Sequence, residues 1–127
     1  MSESAEPKPG TIVWCDLTVE HAEDVRAFYA DVVGWETKGV SLGDYEDYEL
    51  KVAGSGETIA GVCHARGTNE NVPPQWLVYV SVENVEESAR KTVERGGKVV
   101  DGPRSMGGSP FCIVQDPAGA VLALIEG

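Results

Sequence analysis

The sequence predicts an α+β protein assembled from two βαβββ modules. Three observations carry that expectation. The chain repeats itself: Trp14-Cys15-Asp16-Leu17-Thr18-Val19-Glu20-His21-Ala22-Glu23 matches Leu77-Val78-Tyr79-Val80-Ser81-Val82-Glu83-Asn84-Val85-Glu86 in apolar pattern. Each block passes from a strand-like run through an acidic step into a helical stretch that runs to a glycine, Gly34 in one copy and Gly97 in the other. Short strand-like runs then follow each helix. In a chain of 127 residues, a doubled unit of this kind describes two half-barrels sharing one pocket within a single domain.

The elements follow in order. Residues 1–10 are polar and contain Pro7 and Pro9. They lack the basic start and apolar centre of a signal peptide, so they read as a flexible arm on a cytoplasmic protein. The single domain then occupies 11–127, with module 1 over about 11–65 and module 2 over about 75–126. Thr11 to Val19 alternates and is rich in β-branched residues, as strands are. Ala22, Val25, Phe28, Tyr29, Val32 and Val33 recur at helical spacing, predicting an amphipathic helix over Glu20–Val33 stopped by Gly34. Strands are predicted at Trp35–Val40, Tyr48–Val52 and Thr58–His64, broken by Leu42-Gly43-Asp44 and Ala53-Gly54-Ser55-Gly56. Arg66 to Pro74 reads as the linker between modules.

In module 2, Gln75–Val82 is predicted as a strand. Asn84 is placed to cap a helix reaching Arg95, with Glu87 in capping-box position. Lys98–Asp101 reads as a strand, and Gly102–Pro110, around Met106, as a Gly/Pro/Ser loop. The last strands are Phe111–Gln115 and Val121–Glu126, joined by Asp116-Pro117-Ala118-Gly119.

Composition excludes several classes. A formal charge of −11, from 10 basic and 21 acidic residues, argues against a nucleic-acid partner, which needs clustered Lys and Arg. It suits a cationic small molecule, although acidic surfaces also serve solubility alone. No apolar run is long enough to span a bilayer, so no membrane role is expected. Cys15, Cys63 and Cys112 each sit in an apolar strand-like run without a CxxC pattern, and read as buried free thiols. Nucleophile-elbow and dinucleotide-loop motifs are missing.

The series Trp14-x-x-Leu17-x-Val19, Phe28-Tyr29 and Gly34-Trp35 resembles the opening of the vicinal oxygen chelate superfamily. That group includes glyoxalase I, extradiol dioxygenases, fosfomycin resistance enzymes and bleomycin resistance proteins. Asp116-Pro117-x-Gly119 before an apolar strand is similar to its last hairpin. The likeness spans about Thr11 to Glu126; the motifs are specific through their order and spacing together. The chain is most similar to the metal-poor, antibiotic-binding and glyoxalase-like actinobacterial members. The resemblance implies paired modules curling into a cup-shaped mixed sheet with helices on the outer face. It also implies a homodimer whose ligand meets both chains.

Enzymes of that family typically bind a divalent metal through the first strand of each module and the last strand. Those positions fall here on Trp14, Leu77 and Ala123. None offers the imidazole, carboxylate or thiolate that such an ion takes. His21 is expected on the surface at the start of the first helix, and His64 at a strand edge or the pocket rim. The expectation is therefore no metal and no cofactor.

Strand alternation then names the lining of the cup. Trp14, Asp16 and Thr18 are expected to face it from one module, and Leu77, Tyr79 and Ala123 from the other, with small Ala123 leaving space. Met106 and Phe111 are candidates for a lid. Tyr48 and His64 are further ligand candidates; Tyr45, Tyr48 and their acidic neighbours form a cluster able to attract a cation, or a solvated edge. Asp16 is the one catalytic candidate. Desolvation beside Trp14 would favour its protonated form and suit it to proton transfer or to pairing with a cationic ligand. A wet strand edge or a bond to a neighbouring amide explains it equally. The pattern thus points to a metal-independent binder of a hydrophobic or aromatic small molecule, of antibiotic or secondary-metabolite type, for resistance or sequestration. The alternatives are a metal-independent isomerase, cyclase or lyase using Asp16, and a module whose cup is vestigial.

Overall fold

A computed structural model describes residues 7–126; residues 1–6 of the expected arm lie outside them. Among the described residues the elements are β1 (Ile12–Val19), α1 (Ala22–Val33), β2 (Glu36–Ser41), β3 (Glu46–Lys51), β4 (Thr58–His64), a 3-10 turn (Gly67–Asn69), β5 (Trp76–Val82), α2 (Val85–Glu94), β6 (Lys98–Met106), β7 (Ser109–Gln115) and β8 (Val121–Glu126). The fold is α+β, with βαβββ occurring twice. Two compact units result: one is Trp14–Trp76, the other Leu77 onward together with the chain up to Val13.

In the Trp14–Trp76 unit the strand order is β2-β3-β4-β1. β4 pairs antiparallel with β3 and parallel with β1, setting Asp16 beside Gly61 and Thr18 beside Cys63. Ala22 of α1 packs with Tyr48, Leu50, Ala60 and Val62, and Leu50 and Val62 expose nothing to solvent. Tyr29 anchors the helix, accepting the Trp76 indole N–H at 3.1 Å and packing against Trp35. The helix starts later than periodicity suggests. His21 lies in left-handed backbone (φ 56°) and makes no side-chain cap, so regular helix begins at Ala22. Gly34 ends it in the left-handed region, its N–H bonding Ala30 O.

The Leu77 unit has the order β5-β8-β7-β6. Val85 and Ala89 of α2 pack on Cys112 and Val114. Asn84 Oδ1 accepts the Glu87 N–H at 2.9 Å, one half of the expected capping box. The Glu87 carboxylate instead turns along the helix to Arg90. The Gly10 N–H donates to Ser81 O, and the Ser81 N–H to Thr11 O, tying the chain before β1 to this unit.

One expectation is corrected here. Residues 102–110, read as a loop with Met106 in a lid, form a β-hairpin: Arg104, Ser105 and Met106 pair with Phe111, Pro110 and Ser109. Gly102 (φ 93°) stands at the register shift, where an added Cβ would lie 2.9 Å from Phe111 O. Gly107 and Gly108 both have positive φ and close the turn. Composition suggested flexibility, whereas cross-strand hydrogen bonding dictates two strands.

Candidate functional site

β1 alternation puts Trp14, Asp16 and Thr18 on one sheet face of the Trp14–Trp76 unit. A Cβ at Gly61 would touch Trp14 Cζ2 at 3.5 Å and Asp16 Cβ at 3.6 Å, so a strand position without a side chain lets the Trp14 ring settle beside the carboxylate. The Trp14 indole N–H donates to Asp16 Oδ2 at 3.3 Å. Asp16 and Thr18 are each only 4% exposed. Cys63, alongside Thr18, extends this face. Burial first, then the charges of Asp16 and Asp47, push the Cys63 thiol far above its ordinary range, with a hydrogen bond to Asp47 adding to the shift. It is thus a neutral hydrogen-bonding group and a poor nucleophile.

Two expected members lie elsewhere. Tyr48 is in register with Val62 and belongs to the core under α1, where the Arg26 guanidinium sits 4.7 Å from its ring centroid. His64, paired with Val19, has its ring against Tyr45 and Tyr48. Both therefore sit across the sheet from Asp16, because pairing with β4 sets the parity of β3. The aromatic cluster expected to attract a cation already holds protein cations: Arg26 over Tyr48 and Arg66 over Tyr45.

In the Leu77 unit, Tyr79, Ala123, Ile113 and Asp101 stand side by side across β5, β8, β7 and β6. Tyr79 and Phe111 stack with centroids 6.5 Å apart, and the Arg104 guanidinium lies 4.7 Å from the Phe111 ring centroid. Asp101 accepts from Arg104 Nε at 3.0 Å and from an Arg104 terminal nitrogen at 2.9 Å, a bidentate, half-buried pair. This face therefore brings Leu77, Tyr79, Phe111 and Ala123 together, while Met106 lies further along β6, opposite Ser109. Asp101 and Arg104 were not singled out from the sequence. Their i,i+3 spacing was the available signal, hidden in a Gly-Pro run. Cys112, on the opposite face under α2, has its thiol pushed up to about 11, chiefly by burial.

A divalent metal does not fit the positions where the resemblance would put one. Leu77 and Ala123 are fully buried and carry no donor atom, and the Trp14 indole nitrogen is engaged as a donor. Among the described residues no three His, Cys, Asp or Glu side chains group to hold an ion. No helix among them is long and apolar enough to cross a membrane.

The family model for the Glyoxalase/Bleomycin resistance protein/Dioxygenase superfamily matches residues 11–124. A "Putative glyoxylase CFP32" of Mycobacterium bovis is 28% identical over 118 residues, covering 92% of this chain and 44% of the relative. The "Anthracycline biosynthesis protein DauV" of Streptomyces sp. strain C5 is 28% identical over 123 residues, covering 93% and 42%. The chain thus spans less than half the length of these curated relatives. The crystal structure of methylmalonyl-CoA epimerase from Mycobacterium tuberculosis superposes with TM-score 0.52 at 17% identity, over 92% of this chain and 87% of that one, a likeness of fold alone.

Proposed function

The chain belongs to the glyoxalase/bleomycin resistance protein/dioxygenase superfamily, and we propose that within it the protein is a metal-independent binder of a hydrophobic or aromatic small molecule. In this reading it acts as a cytoplasmic homodimer, sequestering an antibiotic or secondary metabolite. The observation that carries the proposal is the donor set: Trp14, Leu77 and Ala123 stand where the family's metal ligands are expected, and two of them are buried hydrocarbon. The side chains around these positions are aromatic and aliphatic with few polar atoms, the usual make-up of a small-molecule site. Stacked Tyr79 and Phe111 suit a planar ligand. That a relative is named for anthracycline biosynthesis supports a secondary-metabolite setting.

Metal analysis of the purified protein, paired with tryptophan-fluorescence titration by Zn²⁺, Ni²⁺ and Mn²⁺, tests this. Near-zero bound metal and no saturable response are expected. One tightly held ion per chain would overturn the reading.

A second reading, a metal-independent isomerase, cyclase or lyase, is favoured by one observation: the Asp16 carboxylate is almost fully buried and accepts an indole N–H. In that case Asp16 exchanges a proton with a bound substrate. Asp16→Asn should then abolish turnover while leaving binding largely intact. A ligand recovered chemically unchanged from the wild-type protein refutes the enzyme and supports the binder.

A further inference from the structure

We propose that the Leu77 unit carries a separate site for an amphipathic carboxylate, an anion with a linear apolar body, in the groove between α2 and the sheet. The groove lies on the sheet face that meets α2, across the strands from Tyr79 and Ala123, and stands apart from the reading above.

Strand alternation and helical spacing build the groove. Val82, Val114 and Leu124 of β5, β7 and β8 form its hydrocarbon floor, on the face that packs against α2. Ser88, Lys91, Thr92 and Arg95 recur three and four residues apart, so they share one side of the helix and line the groove from above. The volume is about 340 Å³, within the range of small-molecule sites. The Thr92 hydroxyl donates to Ser88 O at 2.8 Å, so it needs no partner from a ligand.

The charge at its mouth is opposite to that of the protein. The chain carries a formal charge of −11, yet Lys91 and Arg95 line the groove. An adjoining cavity of about 310 Å³, which shares Gly97 and Asp116 with it, adds Lys98. All three cations are exposed, and none makes an ion pair among the described residues. The acidic residues next to them on α2, Glu87 and Glu94, are both engaged by Arg90. Asp116 is the one carboxylate in either lining, and its Oδ1 accepts the Ala118 and Ala120 N–H groups inside the hairpin turn. Nor are the cations spent in ending the helix. The carbonyls of Lys91, Thr92 and Val93 accept the backbone N–H groups of Arg95, Gly97 and Gly96.

The chemistry selects the ligand class. Unpaired cations beside a hydrocarbon floor call for a molecule with both halves. A neutral chain leaves the cations unused, and a small anion leaves the floor wet. A carboxylate accepts charge-assisted hydrogen bonds from Lys91 and Arg95 while its tail removes Val82, Val114 and Leu124 from water.

The test is an NMR titration of the isotope-labelled full chain with octanoate, and with octanol and acetate as controls that each lack one half of it. Saturable shifts at the Ser88, Thr92, Gly97 and Leu124 amides are expected for octanoate, with both controls at least tenfold weaker. Lys91→Gln and Arg95→Gln, both at exposed positions, should weaken binding about threefold each and about tenfold together. Ser88→Leu, which fills the groove from the helix, should abolish saturation; the two charge variants decide the matter if it does not fold. Equal binding of octanol, shifts that set in only as octanoate forms micelles, saturable shifts centred on Tyr79 and Ala123 instead, or unchanged affinity in the double charge variant would overturn the proposal.

Discussion

Replacing Ala123 with glutamate restores the carboxylate that the family resemblance places on the last strand, and asks whether this structure has room for it. Ala123 exposes nothing to solvent, and its cross-strand neighbours are Tyr79 at 4% and Ile113 at 0% exposure. Forcing extra atoms into packed surroundings costs about 1–3 kcal/mol. Leaving the new charge buried without a partner adds several more. A loss of about 3–5 kcal/mol is expected, a large part of the roughly 5–15 kcal/mol that holds a domain folded. With a urea slope of about 2 kcal/mol per molar, the unfolding midpoint should fall by roughly 2 M. The pH dependence has a definite sign. Burial raises the folded-state pKa of the new carboxyl above its unfolded value of about 4.3, so the penalty is full above the folded pKa. It shrinks as pH falls toward the unfolded value. Urea melts at pH 7 and pH 5, with and without Zn²⁺, read this directly. A loss under about 1 kcal/mol that does not change with pH would mean a wet, open position and would refute the packing argument. Stabilisation of the wild-type protein by Zn²⁺ in the same melts would refute the metal-independent reading.

Other expectations follow from individual contacts. Gly97→Ala should cost about 1–3 kcal/mol, because its Cβ would lie 2.4 Å from the backbone oxygen of Gln115; an unchanged thermal midpoint would mean that the chain after α2 yields freely. Asn84→Ala removes the side-chain acceptor for the Glu87 N–H and should cost about 1 kcal/mol in chemical denaturation, with Asn84→Asp largely neutral. Asp47→Asn removes a negative neighbour that helps raise the Cys63 thiol pKa. Thiolate should then form at lower pH, and alkylation of Cys63 followed by mass spectrometry between pH 8 and 10 should accelerate; an unchanged rate would show that burial and Asp16 govern the thiol without Asp47.

Much of the architecture was legible because local signals agreed with the fold. Alternation marked β1 and helical spacing marked α1, and the repeat with the Asn84 cap marked β5 and α2. Gly34 ended one helix by adopting the left-handed backbone that other residues resist, and Asn84 began the other by capping an orphan N–H. The shared face of Trp14, Asp16 and Thr18 followed from strand periodicity alone, as did that of Leu77 and Tyr79. The limits were equally physical. Period-two alternation says which residues share a face but not which face meets the helix. The pairing of Tyr48 with Val62 decided that Tyr48 supports α1 rather than joining Asp16, and the pairing of Val19 with His64 placed that imidazole on the Tyr48 side. The Gly102–Pro110 stretch had the composition of a loop, and only hydrogen bonding to β7 made it a strand. That hairpin laid Arg104 over Phe111 and against Asp101. Residue types and periodicities thus determined the elements and which residues share a face along each strand. Register, a non-local property set by which strands hydrogen-bond, decided which side chains stand together.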